Sequence, residues 1–136
     1  MIDVAYIALG SNVGDRSAHL AHARAALATI PGSHVVGESS IEETEPLGGL
    51  VQDRYLNQMI ALETTLAPRA LLAHLLDIER AEGRTRSVRW APRTLDLDIV
   101  CFDRQVVHEP DLHVPHRELS NRDFWQRELG ELRGSE

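Results

Sequence analysis

Residues 95–102, LDLDIVCF, alternate apolar and acidic side chains at their start, and this pattern constrains the fold more than any other feature of the chain. Residues two apart in a strand point to the same side, roughly 6.6 Å apart at about 3.3 Å per residue. Asp96 and Asp98 therefore share a face, while Leu95, Leu97 and Ile99 point the other way. The pattern predicts a strand with one face in a core and two carboxylates on the other. A merely solvated strand face is the alternative.

The composition favours a small soluble domain. The chain has 136 residues, of which 43% are hydrophobic, so we expect a single domain spanning 1–136. The net charge of −7 argues against a protein that coats nucleic acid or an anionic membrane. All 14 basic residues are arginine, which excludes a lysine-containing P-loop. With a single cysteine and no long apolar run, a cytoplasmic location is expected.

Apolar spacing predicts two helices among four strands. The first helix carries an apolar stripe from Leu20 to Ile30 and stops at Pro31-Gly32, and the second runs from Pro68 to Gly83 with Glu79 in its last turn. The predicted strands are Val4–Leu9, Val35–Ile41, Tyr55–Thr64 and Leu95–Phe102.

This element order predicts an α+β fold. Strands compatible with antiparallel pairing, separated by helices, favour a ferredoxin-like α/β/α sandwich with a mostly antiparallel sheet over a doubly wound parallel sheet. We further predict that Val106-Val107 pairs back onto the fourth strand in a short hairpin, and that residues 115–132 are weakly helical.

Arginines crowd the segment that precedes the two aspartates. Guanidinium groups bind phosphate oxygens in bidentate fashion, and hard divalent cations prefer carboxylates, so the combination is typical of a site for a nucleotide polyphosphate. Trp90 within this segment offers a surface for a purine base. A solvated loop with Trp90 as its anchor is the alternative. The arginines are Arg84, Arg86, Arg89 and Arg93.

Other candidate side chains are less specific. Tyr55 and Asn57 share a strand face and suit a flat heteroaromatic ligand, although a core-edge tyrosine and a satisfied amide are equally compatible. His116 is a candidate for phosphate binding or proton transfer, or is an ordinary surface histidine. The remaining histidines show no ligand spacing with the cysteine, so a zinc site is not predicted.

Five segments together resemble the 6-hydroxymethyl-7,8-dihydropterin pyrophosphokinase family of folate biosynthesis. They are ALGSNVGD, TEPLG, YLNQMIALET, IERAEGRTRSVRWAPRTLDLDI and VPH followed by NRDF, and WAPRTLDLDI is the most specific. The resemblance implies a ferredoxin-like sandwich that transfers pyrophosphate from ATP to the pterin hydroxymethyl group and releases AMP. It also implies a protein whose partners are these two small molecules, and we expect it to be a monomer.

The resemblance also implies roles for individual residues. Asp96 and Asp98 would bind two Mg²⁺ ions, and would act in catalysis with Arg84 and Arg93. The pterin would stack between Tyr55 and Phe124, with hydrogen bonds from Thr44, Leu47 and Asn57. The residues implied to contact ATP are Glu79, Arg84, Arg86, Trp90, Arg93, Ile99, His116 and Arg122.

Two features depart from the family pattern. Ala91 replaces a glycine that is usual between the tryptophan and the proline, and the chain ends soon after Leu132, short of an extension seen in many members.

Two other classes of protein fit the residues: a non-catalytic ferredoxin-like module that binds a nucleotide, and a metal-dependent phosphohydrolase that uses the same carboxylates.

Overall fold

The predicted order of strands and helices is present in the computed structural model of the protein, which describes residues 2–45, 54–83 and 94–134. The strands are β1 (Asp3–Ser11), β2 (Ser33–Glu38), β3 (Glu42–Thr44), β4 (Tyr55–Thr64), β5 (Asp96–Phe102), β6 (Val107–Glu109) and β7 (Leu112–Val114). The helices are α1 (Arg16–Leu27), α2 (Pro68–Ala81) and α3 (Asp123–Leu132), and α3 follows a short 3₁₀ turn at Leu119–Asn121.

The main sheet is antiparallel throughout the described residues. Its order is β2-β4-β1-β5, and β3 pairs with the start of β4. Helices α1 and α2 contribute to the core on one face, and α3 packs on the other. The ferredoxin-like α/β/α architecture is confirmed.

The segment predicted as one strand over 35–41 is a strand only as far as Glu38, and the next strand begins at Glu42. Strand β2 ends at Glu38, because Ser39 turns the chain: its N–H donates to Met59 O at 2.9 Å, and its hydroxyl accepts from Met59 N at 2.8 Å. Strand β3 then resumes beside Tyr55, Leu56 and Asn57 of β4. This break brings Thr44 next to the start of β4.

The predicted pairing of Val106-Val107 with the fourth strand is wrong. Val107 pairs instead with Val114, in a separate two-stranded sheet formed by β6 and β7. The reason is burial: Leu112 and Val114 belong to the core under α1 and α2, which holds β7 in place and makes it the partner of β6. Arg69 of α2 adds ion pairs to Glu109 and Asp111 at the tip of this hairpin.

An irregularity in β5 decides which way its side chains point. Tyr6 pairs with Cys101 but Ile7 pairs with Ile99, so Val100 is an extra residue, as in a β-bulge. Val100 and Cys101 consequently both pack on the α3 side, while Ile99 packs under α1 and α2.

None of the helices in the described parts of the chain is long and apolar enough to span a membrane.

Candidate active site

The two aspartates of β5 lie on the side of the sheet that α3 covers. Asp98 is aligned with Ala8 of β1, which packs against α3, and Asp96 is aligned with Gly10. Both aspartates are partly exposed, whereas Leu97 between them is buried on the opposite face. The shared face predicted from the alternation is confirmed.

Gly10 connects the aspartates to the polar start of β4. It is aligned with Asp96 on one side and with Asn57 on the other, so the three residues form a row across β5, β1 and β4. A methyl group on Gly10 would lie 3.3 Å from Asn57 Oδ1 and 3.3 Å from Tyr55 Cδ2. The missing side chain therefore lets the amide and the phenol ring approach the β1 backbone.

Thr44, Tyr55 and Asn57 form one cluster at this end of the sheet. Thr44 is aligned with Tyr55 in the β3–β4 pair, and Asn57 Nδ2 donates to Thr44 Oγ1 at 2.5 Å. Asn57 is buried and Tyr55 is half-buried. The amide orientation is thus set by a hydroxyl that β3 supplies.

Glu79 supports β5 from behind. Its side chain is 2% exposed, and its Oε2 accepts a hydrogen bond of 2.7 Å from the backbone N–H of Leu97. Because β5 is the edge strand of the described sheet, that N–H has no strand partner on this side. Glu79 therefore binds the backbone between the two aspartates, a role that its position in the sequence did not indicate.

His116 approaches Asp98 from the segment before α3. Its Nε2 is 3.7 Å from Asp98 Oδ1, and its backbone N–H donates to Val100 O at 2.7 Å. The N–H of Glu118 donates to His116 Nδ1 at 3.0 Å, so Nδ1 acts as an acceptor and Nε2 carries the ring proton toward Asp98.

Trp125 is a site residue that the sequence analysis missed. It is 2% exposed, its ring lies edge-on to His116 with centroids 5.0 Å apart, and the Arg122 guanidinium carbon is 4.4 Å from its centroid. The available signal was helical spacing, since Trp125 and Leu129 form the buried stripe of α3. Trp125 thereby orients two of the side chains assigned to ATP.

Arg122 carries an unused donor. Its Nε is buried, and no acceptor among the described residues lies within hydrogen-bonding distance of it. Phe124 is half-buried, with its ring centroid 6.2 Å from that of Trp125. Ile99 differs from these residues, because its side chain is buried under α1 and α2.

The remaining predicted site residues lie outside the described residues. They are Leu47, Arg84, Arg86, Trp90 and Arg93, together with Arg89 and Ala91. The described side chains nevertheless suit a hard divalent cation, because the strand presents two carboxylates on one accessible face.

Fold and site define an antiparallel α/β/α sandwich with a paired-carboxylate centre, an architecture suited to binding a polyphosphate. The profile of the family described as 7,8-dihydro-6-hydroxymethylpterin-pyrophosphokinase matches residues 6–134. The chain belongs to this family.

Individual relatives agree with the family match. The chain is 44% identical over 132 residues to a 2-amino-4-hydroxy-6-hydroxymethyldihydropteridine pyrophosphokinase of Bacillus subtilis, covering 97% of this chain and 79% of the relative. It is 42% identical to the Methylorubrum extorquens enzyme of the same name, covering 94% and 81%. A solved structure described as HPPK-DHPS in complex with substrates has the same fold, with a TM-score of 0.71 at 13% identity, over 96% of this chain and 40% of that one.

Proposed function

We propose that Asp96 and Asp98 are the catalytic centre of this pyrophosphokinase. The enzyme transfers pyrophosphate from ATP to 6-hydroxymethyl-7,8-dihydropterin in folate biosynthesis, forming the pterin diphosphate and AMP. The observation that carries the site assignment is the row from Asp96 through Gly10 to Asn57, which joins a carboxylate to a polar cluster across three strands.

Asp96 and Asp98 would bind Mg²⁺, and we propose two ions. Bound Mg²⁺ would neutralise charge on the polyphosphate during transfer. The hydrogen bond from Leu97 N to Glu79 supports this assignment, because it restrains the strand backbone between the two carboxylates. Glu79 is thus a positioning residue, in addition to the ATP contact that the family pattern implies.

The ATP phosphates would lie between the aspartates and a set of arginine and other hydrogen-bond-donating side chains. Arg122 has a buried Nε donor and a guanidinium plane held against Trp125, so it can bind a phosphate with little loss of side-chain entropy. His116 Nε2 is a second donor beside Asp98. We propose that Arg84, Arg86 and Arg93 complete this set, with Arg84 and Arg93 acting in catalysis, that Trp90 offers a surface to the purine base, and that Ile99 contacts ATP through its backbone.

The pterin would bind at the start of β4. Its ring would stack between Tyr55 and Phe124, and its edge would bond to Asn57, Thr44 and Leu47. Two observations support this: Asn57 is held by Thr44, and the missing side chain of Gly10 lets Tyr55 and Asn57 lie together against the β1 backbone.

The reaction follows from this placement. The pterin hydroxymethyl oxygen attacks the β-phosphorus in line, the bond from that phosphorus to the α,β-bridging oxygen breaks, and AMP leaves with that oxygen. The proton of the attacking hydroxyl is released to solvent. Positioning and charge neutralisation supply most of the rate in such transfers.

One incubation separates the enzyme from the two other classes considered. With ATP, Mg²⁺ and the reduced pterin, the pyrophosphokinase forms AMP only when the pterin is present. A phosphohydrolase would release phosphate from ATP without the pterin, and a binding module would convert neither ATP nor the pterin. The comparisons offer no support for those two alternatives.

We also propose that the protein is a cytoplasmic monomer with residues 1–136 as one domain. Both faces of its main sheet contribute to cores that its own helices complete. Sedimentation equilibrium should return the mass of one chain, and a dimer mass would overturn the proposed monomer.

A further inference from the structure

Two histidines and a glutamate converge at the α1/α2 layer, on the opposite face of the sheet from the aspartates. His19 Nδ1 is 2.5 Å from Glu82 Oε2, and His22 Nδ1 is 3.0 Å from the same oxygen. The ligand atoms of all three residues lie within 4.8 Å of one another. The spacing of the histidines relative to the cysteine did not indicate this cluster, because positions 19 and 22 lie far from position 82 in the chain.

The fold brings these residues together from two helices. His19 and His22 are three residues apart on α1 and therefore lie on the same side of it. Glu82 directly follows α2, where its backbone N–H bonds to carbonyls of the last turn. The convergence thus joins the first half of α1 to the end of α2.

The cluster is partly pre-organised. A methyl group on Gly14 would lie 3.2 Å from His19 Nε2, and Gly14 has φ +71°, so this turn places its backbone against the His19 ring. The side chains of His19 and Glu82 are 19% and 16% exposed, whereas that of His22 is 64% exposed. His19 and Glu82 are therefore held in place by packing, whereas the exposed side chain of His22 can move to bind an entering ion.

The electrostatics favour a cation at this point. Glu82 Oε2 lies within 3.0 Å of the Nδ1 atoms of both histidines, so its negative charge lies where the ion would bind. An ionised carboxylate beside two imidazole nitrogens is a common ligand set for zinc-class metals.

We propose that His19, His22 and Glu82 form a second metal site, selective for a divalent transition ion of the zinc class. The ion would bind both Nδ1 atoms and the carboxylate, with the ring protons on Nε2 and water completing the coordination. Metal–ligand bonds of about 2.0–2.1 Å place ligand atoms about 3.4 Å apart in a tetrahedral site, so His19 and Glu82 need to separate by less than about 1 Å. Mg²⁺ prefers oxygen ligands and should not compete.

Calorimetry tests this site: Zn²⁺ is titrated into enzyme that is free of transition metals, in a buffer that contains excess Mg²⁺. One equivalent should bind the wild type, and His22→Ala and Glu82→Gln should each weaken binding by roughly tenfold or more. His34→Ala, at an exposed histidine of β2, is the matched control and should bind as the wild type does. Circular dichroism checks that His22→Ala, a change at an exposed position, keeps the fold.

Substitution with Co²⁺ provides a second readout that does not depend on activity. The wild type should show the visible absorption of a Co²⁺ ion bound by imidazole, and His22→Ala should lose it. No Zn²⁺ binding by the wild type, equal binding by the wild type, His22→Ala and Glu82→Gln, or an equal loss in His34→Ala would overturn the proposal.

Discussion

Glu79 Oε2 accepts a hydrogen bond of 2.7 Å from the backbone N–H of Leu97, the residue that separates the two aspartates of the site. Glu79 is 2% exposed, so this bond forms inside the protein, at the edge of β5 that faces away from β1. A carboxylate on a helix thereby sets the position of the strand from which both proposed metal ligands project.

Glu79→Ala should destabilise the enzyme and slow it. The change leaves the Leu97 N–H buried without an acceptor, which typically costs about 1–3 kcal/mol in the free energy of unfolding. Turnover should also fall, because the strand between the aspartates is no longer restrained. Urea unfolding and steady-state kinetics measure the two effects. Asp77→Ala, on the exposed side of the same helix, should change neither.

Asp96→Asn should reduce AMP formation by about a hundredfold or more, because it removes a charge that would bind metal opposite the polyphosphate. The fold should survive, since Asp96 is partly exposed at the edge of the sheet. The matched control is Asp77→Asn on the surface of α2. Near wild-type turnover by Asp96→Asn would remove the metal assignment.

Gly10→Ala should impair pterin binding more than stability. The added methyl group would lie 3.3 Å from both Asn57 Oδ1 and Tyr55 Cδ2, so those side chains must shift. Stability should change by less than about 1 kcal/mol, because alanine loses less backbone entropy than glycine on folding and offsets part of the crowding. We expect a raised KM for the pterin with the KM for ATP unchanged.

Gly130→Ala is the control for Gly10→Ala. A methyl group at Gly130 of α3 would meet no described atom within 4 Å. An unchanged pterin KM in Gly10→Ala would argue that the pterin binds elsewhere.

Arg122→Lys should raise the KM for ATP several-fold while retaining the positive charge. Lysine lacks the planar guanidinium that lies 4.4 Å from the Trp125 ring centroid, and it cannot form a bidentate bond to phosphate. Arg104→Lys, at an exposed position just beyond β5, should behave as the wild type. An unchanged ATP KM in Arg122→Lys would show that the guanidinium does not contact the nucleotide.

Glu128 should make stability fall as pH rises. Burial, followed by the proximity of the Glu42 carboxyl group, raises the pKa of Glu128 to about 9. Burial would also raise the pKa of Glu42, but its interactions with Glu128 and with the Arg127 guanidinium lower it, so Glu128 holds the proton. The unfolded state loses this proton near pH 4.5. The contribution of Glu128 to stability is therefore fully present below that pH and is lost as the pH rises toward the pKa of the folded state.

Glu128→Gln should flatten this decline and stabilise the protein at pH 8 by on the order of 1–3 kcal/mol. Urea midpoints measured between pH 5 and pH 9 test the effect. Glu118→Gln, at an exposed position, should keep the wild-type pH dependence. The same slope in Glu128→Gln and the wild type would contradict the assignment.

Local patterns predicted much of the fold because each depends on near neighbours in the chain. The period-two alternation around Asp96 placed both carboxylates on one face, and the spacing of apolar residues located α1 and α2. The pairing of Val106-Val107 was mispredicted because Leu112 and Val114 are buried against residues that lie far away in the chain. That burial selects the partner strand.

The sequence by itself determined the helices α1 and α2, the main strands and, through its motifs, the family. Only the tertiary structure decided that Glu79 binds the Leu97 backbone, that Trp125 orients His116 and Arg122, and that two histidines of α1 meet Glu82. The physical reason is distance along the chain. Strand and helix periodicity act over a few residues, whereas these contacts join segments that meet only when the sheet and its helices have packed.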